Sequence, residues 1–364
     1  SSQVFYRSSS DGVYSSVGGG SHYLAESAFM NVGYTDIGQT LLSELRAKTT
    51  KPPMVLSGVV AEDVILGPVA YRDVDGLDLG YHYDPLDYMV CNTVVSNATL
   101  TLTNGVTLGV YGNTGIRLHG NSKLLSEGRP ERLNRIVRSQ AIQEQANVNW
   151  TAGANVSLIS EDVSGGALST IQLRFTDLSQ LSGGGVILSG GNKLSSFSLV
   201  DCQLYNGLLS LNEAVSSGCS SCFTNNLFDH VKLTLGNSTN AFSAWLYNNT
   251  FYASTNAFLP ASGNTWILRD NYFHLVSNTQ NTSLNGRHNY NGYYSLGTTR
   301  LTPHAANDRV VTNAAPFVSG DLGSFYLISS SPLVNAGSRS SANAGLYHHT
   351  TQTSNTKEGN TQVD

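Results

Sequence analysis

Between Leu199 and Leu275 a short phrase recurs: Leu199-Val-Asp201-Cys202-Gln-Leu204, Phe223-Thr-Asn225-Asn226-Leu-Phe228, Leu246-Tyr-Asn248-Asn249-Thr-Phe251 and Leu268-Arg-Asp270-Asn271-Tyr-Phe273. Its terminal apolar residues, Leu204, Phe228, Phe251 and Phe273, are spaced by 24, 23 and 22 residues. A repeat that short cannot close a core of its own. It buries its apolar face only by stacking on the next copy, which makes the chain a solenoid.

A second stretch sets the same period independently. From Thr93 apolar and polar residues alternate through Leu100, Leu102, Val106, Leu108, Val110, Ile116, Leu118 and Leu124, with Gly at 105, 112, 120 and 128. Each strand of about 8 residues therefore ends at a residue that tolerates positive φ. Three such sides make a coil of 22–24 residues. The expected class is all-β, a right-handed parallel β-helix of three-sided coils. The expected divisions are an N-terminal linking or capping segment over 1–90 with one short helix, the β-helix over 91–299, and an irregular C-terminal cap over 300–364. The helix is predicted from Asp36 as N-cap to about Lys48, because Leu41, Leu42 and Leu45 share one face.

Composition narrows the function classes. Charged residues are 12% of the chain, Gly numbers 36, and the net charge of −5 has no basic block. Nucleic acid is not an expected partner. No apolar run approaches the roughly 20 residues of a membrane-spanning helix. The chain starts at Ser1, which reads as a processed or excised piece of a longer product. Arg129, Arg132, Arg135 and Arg138 recur every third residue; they can form a row that grips an acidic polysaccharide, or a solvated face with Leu133, Ile136 and Val137 turned inward.

The site candidates follow from residue chemistry. Asn225, Asn248 or Asn249, and Asn271 suit a corner ladder, in which amides of successive coils stack about 4.8 Å apart and satisfy the turn. Asp201, Asp229 and Asp270 suit either corners or a carboxylate-lined groove, and no His, Lys or Arg recurs beside them. Five carboxylates in the 15 residues from Asp73 to Asp87 make Asp73, Asp75 and Asp78 a weak calcium candidate against ordinary turn chemistry; no other cofactor is expected. Cys219 and Cys222 fit a local disulfide or buried thiols in a turn, with a bond to Cys202 as the alternative. Sequons at Asn97, Asn149, Asn155, Asn237, Asn248 and Asn281 offer glycan acceptors. Tyr290, Tyr293 and Tyr294 suit a cap over the last coil or a sugar-stacking platform.

The two ends of the chain match. Gly20-Ser-His-Tyr-Leu followed by Asn31-Val-Gly33 aligns with Gly323-Ser-Phe-Tyr-Leu followed by Asn335-Ala-Gly337, given one inserted residue. Asp364 falls where a copy of Asp78-Leu-Gly-Tyr-His-Tyr begins. One period of a head-to-tail tandem is expected.

These end motifs, with Gly345-Leu-Tyr-His-His-Thr-Thr and Asp78-Leu-Gly-Tyr-His-Tyr-Asp-Pro-Leu-Asp-Tyr88, resemble large secreted proteins of environmental bacteria, especially Verrucomicrobia. The resemblance spans most of the chain. It implies a pectin-lyase-like parallel β-helix and an extracellular location, and it supplies no catalytic residue. The Asn-Thr-Asp, Asp-Asp and Gly-His-Gly elements of polygalacturonases are absent from the sequence. The expected function is a non-catalytic structural module that partners itself head-to-tail. The alternatives are a polysaccharide lyase or hydrolase, or a glycan-binding adhesin.

Overall fold

The computed structural model describes the chain except residues 1–3, 144–155, 162–166, 191–193, 213–218, 237–241, 285, 314, 322, 347–351, 355, 357 and 360, with backbone alone at Ser189. Among the described residues, three parallel sheets of 9, 9 and 11 strands run the length of the molecule. One coil shows the plan: Lys232–Leu235 in the first sheet, Phe242–Tyr247 in the second and Thr250–Tyr252 in the third. Each strand pairs only with its counterparts one coil above and below. The fold is the expected all-β parallel β-helix.

Register makes the core. Leu204, Phe228, Phe251, Phe273 and Tyr293 are Cα partners in series along the third sheet. All five are fully buried. From Phe228 onward the rings stack nearly parallel, with centroids 4.7, 5.0 and 5.3 Å apart. The repeat of the sequence is thus a column in space, because a parallel in-register ladder sets equivalent side chains one above another.

The bounds differ from those expected. The first parallel strands are Met54–Leu56, Val59–Val60 and Val64–Leu66, and the last is Arg309–Val311. Strands too short to alternate leave little sequence signal, so the solenoid extends beyond 91–299 at both ends. The helix is Gln39–Arg46, with Gly38 at its N-cap. Asp36 does not cap it and instead accepts the Tyr34 hydroxyl at 3.0 Å. Only Leu42 is buried, while Leu41 faces solvent.

The two ends of the solenoid are unlike. At the first coil Leu56, Val60 and Val64 are only partly buried against the core. The last coil is closed: Leu284 and Leu301 are fully buried, Thr299 N–H donates to Val276 O at 2.8 Å, and His288 Nε2 donates to Pro303 O at 2.8 Å.

Two antiparallel hairpins lie outside the solenoid, Tyr14–Val17 with Gly20–Leu24 and Phe317–Gly320 with Gly323–Leu327. Both rest on the 11-stranded sheet, near opposite ends. Tyr23 of the first packs with Tyr83, Leu86 and Met89. Phe317 and Leu327 of the second pack with Tyr272 and Val311.

Candidate functional site

The corner between the second and third sheets holds most of the residues singled out in the sequence. Asp201, Asn225, Asn248, Asp270 and Tyr290 occupy one position there, each with φ between 55° and 60°. Asn and Asp tolerate this left-handed turn better than other side chains bearing a Cβ. The residue that follows turns inward. Asn226, Asn249, Asn271 and Asn291 form the ladder: each donates Nδ2 to the Oδ1 of the next at 2.9, 2.9 and 3.0 Å. The same Oδ1 atoms accept the backbone N–H of Asn226, Asn249 and Asn271 at 3.0–3.1 Å. Cys202 N–H opens the row on Asn226 Oδ1, and Asp308 Oδ1 ends it by accepting Asn291 N–H.

Of the four ladder candidates, Asn249 and Asn271 belong to the row, whereas Asn225 and Asn248 make the turn one residue earlier. Asn226 and Asn291 were missed. For Asn226 the signal was present in the dipeptide Asn-Asn, repeated as Asn248-Asn249 and Asp270-Asn271, whose first member bends the chain and whose second satisfies it; Asn291 follows Tyr290 and carries no such dipeptide.

The carboxylates are engaged by neighbours, Asp201 and Asp270 at this corner and Asp229 at the far end of a third-sheet strand, Leu227–Asp229. Asp201 accepts Arg174 Nε at 3.2 Å and Asn225 Nδ2 at 2.6 Å. Asp229 pairs with His230 at 2.5 Å. Asp270 takes Ser338 N–H at 2.6 Å and its hydroxyl at 2.7 Å; burial raises its carboxyl above the usual range, and the Ser338 bonds oppose that. They border a groove of about 820 Å³ between the third sheet and the C-terminal hairpin, which Tyr205, Phe325, Glu131 and Glu358 also line. The described residues lining it include no Lys, Arg or His.

The other candidates disperse. Asp73 Oδ2 accepts Asp78 N–H at 2.8 Å and His82 Nε2 at 2.6 Å. Asp78 accepts Asn31 N–H at 2.8 Å and the Thr50 hydroxyl. Asp75 is exposed. The three border a cavity of about 170 Å³, yet among the described residues no group of three His, Cys, Asp or Glu side chains converges as a metal site. Arg135 reaches Asp177 at 3.0 Å and Arg138 donates to Gly112 O at 2.8 Å, so the arginines make no common row. Tyr293 enters the core while Tyr294 stacks outside on His274 at 4.2 Å; adjacent residues of a strand point to opposite faces. Asn97 and Asn281 are exposed. The Nδ2 of Asn248 is buried without a partner. Asn149, Asn155 and Asn237 lie outside the described residues.

Of the readings open for Cys219 and Cys222, the geometry fits free thiols, one of them buried, and neither the local disulfide nor the turn. All four cysteines are free. Cys219 and Cys222 lie in one strand, Cys219–Thr224, whose burial alternates strictly. Three extended residues place them about 10 Å apart on opposite faces. Burial pushes the Cys219 thiol up to about 11 and that of Cys202 to about 12. Thiol titration without reductant should find Cys91 and Cys222 reactive in the native state and four thiols after denaturation. Fewer than four in denaturant would contradict the free state.

The hairpins are the remaining feature shared by both ends. Their registers coincide at a constant offset of 303 residues: Tyr14 with Leu24, Ser15 with Tyr23 and Val17 with Gly20 become Phe317 with Leu327, Val318 with Tyr326 and Gly320 with Gly323. Each is followed by the same clasp. Asn31 and Asn335 have φ of 60° and 56°, and their N–H groups donate to Asp78 and Asp364 at 2.8 and 2.7 Å. Gly33 and Gly337 N–H donate to Leu77 O and Val363 O at 2.6 and 2.8 Å. A Cβ on either Gly would strike the segment it grips, at Leu77 or at Val363. The sequence match between the chain ends is therefore a duplicated structural module.

Among the described residues no helix is long and apolar enough to cross a membrane. No protein-family model, no curated protein and no solved structure matches the chain, so its fold and its duplicated module stand on the geometry above.

Proposed function

We propose that the chain is a non-catalytic structural module of an extracellular protein or filament, in which copies associate head-to-tail through the ends of the β-helix. The observation that carries this reading is the distribution of apolar surface. Of nineteen exposed large apolar side chains among the described residues, fifteen lie between Val4 and Tyr81. Val59 and Ile65, on strands of the open first coil, are 65% and 74% exposed. Apolar side chains left in solvent along the first part of the chain offer contact surface, and a strand edge without a partner accepts another chain.

The unlike ends favour a chain over a closed pair. A contact between two different surfaces propagates as a linear polymer unless its rotation closes a ring. A surface rich in hydroxyl and amide groups and poor in charge suits an exposed, stacked β-rich assembly outside the cell. The likeness to pectin-lyase-like modules of large secreted bacterial proteins supports the same setting.

Electron microscopy and sedimentation over a concentration series test the proposal. Linear oligomers are expected. Val59→Lys with Ile65→Lys should weaken their association at least tenfold, because each ammonium must be desolvated in the contact. Monodisperse monomers at high concentration, or dimers that never grow, would overturn it.

A further inference from the structure

The duplicated hairpin buries the same two residues at both positions, Tyr23 and Leu24 in one copy and Tyr326 and Leu327 in the other, and differs in what becomes of its aromatic pair. In the C-terminal copy Phe317, Phe325 and Leu327 form the seated face. Phe317 lies 5.4 Å from His274, 5.7 Å from Tyr272 and 6.2 Å from Tyr252, and Phe325 lies 5.1 Å from Tyr252. In the N-terminal copy Leu24, the counterpart of Leu327, is buried as well, and so is Tyr23 on the other face; the Tyr23 ring meets Tyr83 at 5.3 Å and its hydroxyl donates to Gln143 at 2.5 Å.

By register, Tyr14 and His22 are the counterparts of Phe317 and Phe325. They form the same edge-to-face pair, with centroids 5.6 Å apart at 70° against 5.3 Å at 78°. Tyr14 is 44% exposed and His22 is exposed as well. One hairpin thus presents to solvent the aromatic pair whose counterpart its twin has seated on the third sheet, although Leu24 beside that pair is buried as Leu327 is.

We infer that the N-terminal hairpin of one copy takes the place of the C-terminal hairpin on Tyr252, Tyr272 and His274 of a second copy. The inference rests on the head-to-tail reading and adds to it a contact on the outer face of the third sheet. The occupant is a second copy of this chain, because the surface is already seen filled by a module of the same backbone register and the same aromatic pair. Exchanging one such hairpin for its twin replaces contacts of the same kind, which is what makes swapping between copies a low-cost route to association. The N-terminal hairpin keeps its own seat through Tyr23 and Leu24 while its Tyr14–His22 pair engages the neighbour, so one hairpin bridges two β-helices.

The test uses the full chain with Cys91→Ser and Cys222→Ser, leaving only the buried thiols. One batch carries His22→Cys and a size-tagged batch carries Tyr252→Cys; they are mixed and oxidised. A disulfide-linked mixed dimer in excess over either like pair is expected. Separately, Tyr14→Phe with His22→Phe, which reproduces the C-terminal pair, should tighten association by about tenfold, and Tyr14→Ser with His22→Ser should weaken it by at least as much. If sedimentation shows association while mixed dimers stay at background and the aromatic variants leave it unchanged, hairpin exchange is wrong and the head-to-tail reading stands. If the parent chain does not associate at all, both fall.

Discussion

Replacing Phe251 by Ala is expected to cost about 3–5 kcal/mol, the usual range for a fully buried Phe. Its ring lies between Phe228 at 4.7 Å and Phe273 at 5.0 Å, with interplanar angles of 14° and 5°. Removing it leaves a gap in the middle of a column. Neighbouring coils are held in register by their own ladders, so the walls cannot collapse inward to fill it. Chemical denaturation should show a lower midpoint with little change in slope. Tyr252→Ala, one residue away and outside the core, is the matching control. It touches Phe317, Phe325 and His274, so its loss should loosen the C-terminal hairpin and leave the coils in place. Equal midpoints for the two variants would refute the assignment of inner and outer faces.

Asn249→Ala should destabilise by a similar amount, about 3–5 kcal/mol, through polar groups rather than a void. The side chain donates to Phe223 O at 3.0 Å and to Asn271 Oδ1 at 2.9 Å, and it accepts both the backbone and side-chain N–H of Asn226. Its removal strands the Asn226 N–H and the Phe223 carbonyl, each out of reach of water. Each orphan costs about 1–3 kcal/mol. Hydrogen exchange reads the effect locally: the Asn226 amide should lose protection more than amides two coils away. Asn248→Ala, at the turn, should cost far less than Asn249→Ala. Its φ of 56° is unfavourable for Ala, but no ladder bond depends on it. A larger loss from Asn248→Ala than from Asn249→Ala would reverse the division of labour proposed for the pair.

The difference between these neighbours marks where sequence reading stopped. Alternation and the 22–24-residue spacing are local patterns, and a parallel stack carries each of them unchanged from coil to coil. Strand faces were therefore legible for Phe228, Phe251 and Phe273. The corner was not, because Asn225 and Asn226 differ only in which side of a left-handed turn they stand. The same ambiguity hid the cysteines: Cys-Ser-Ser-Cys reads as a turn motif, and only pairing with the strand below, Ser196 with Ser220 through Val200 with Thr224, makes it extended. The carboxylates Asp201 and Asp270 looked available in the sequence, whereas Arg174 and Ser338 reach them from 27 and 68 residues away.

By itself, then, the sequence determined the class of fold, the length of a coil and the existence of a duplicated end module, since all three are repetitions and repetition is visible in one dimension. The tertiary structure alone decided that Asn226 and Asn291 complete the ladder, that Cys219 and Cys222 face apart, and that the aromatic pair is seated in one hairpin and exposed in the other. Those outcomes depend on what lies across from each residue. Gly-Ser-x-Tyr-Leu is the same phrase at both ends, but whether Tyr14 or Tyr23 meets solvent is set by the surface on which the hairpin comes to rest.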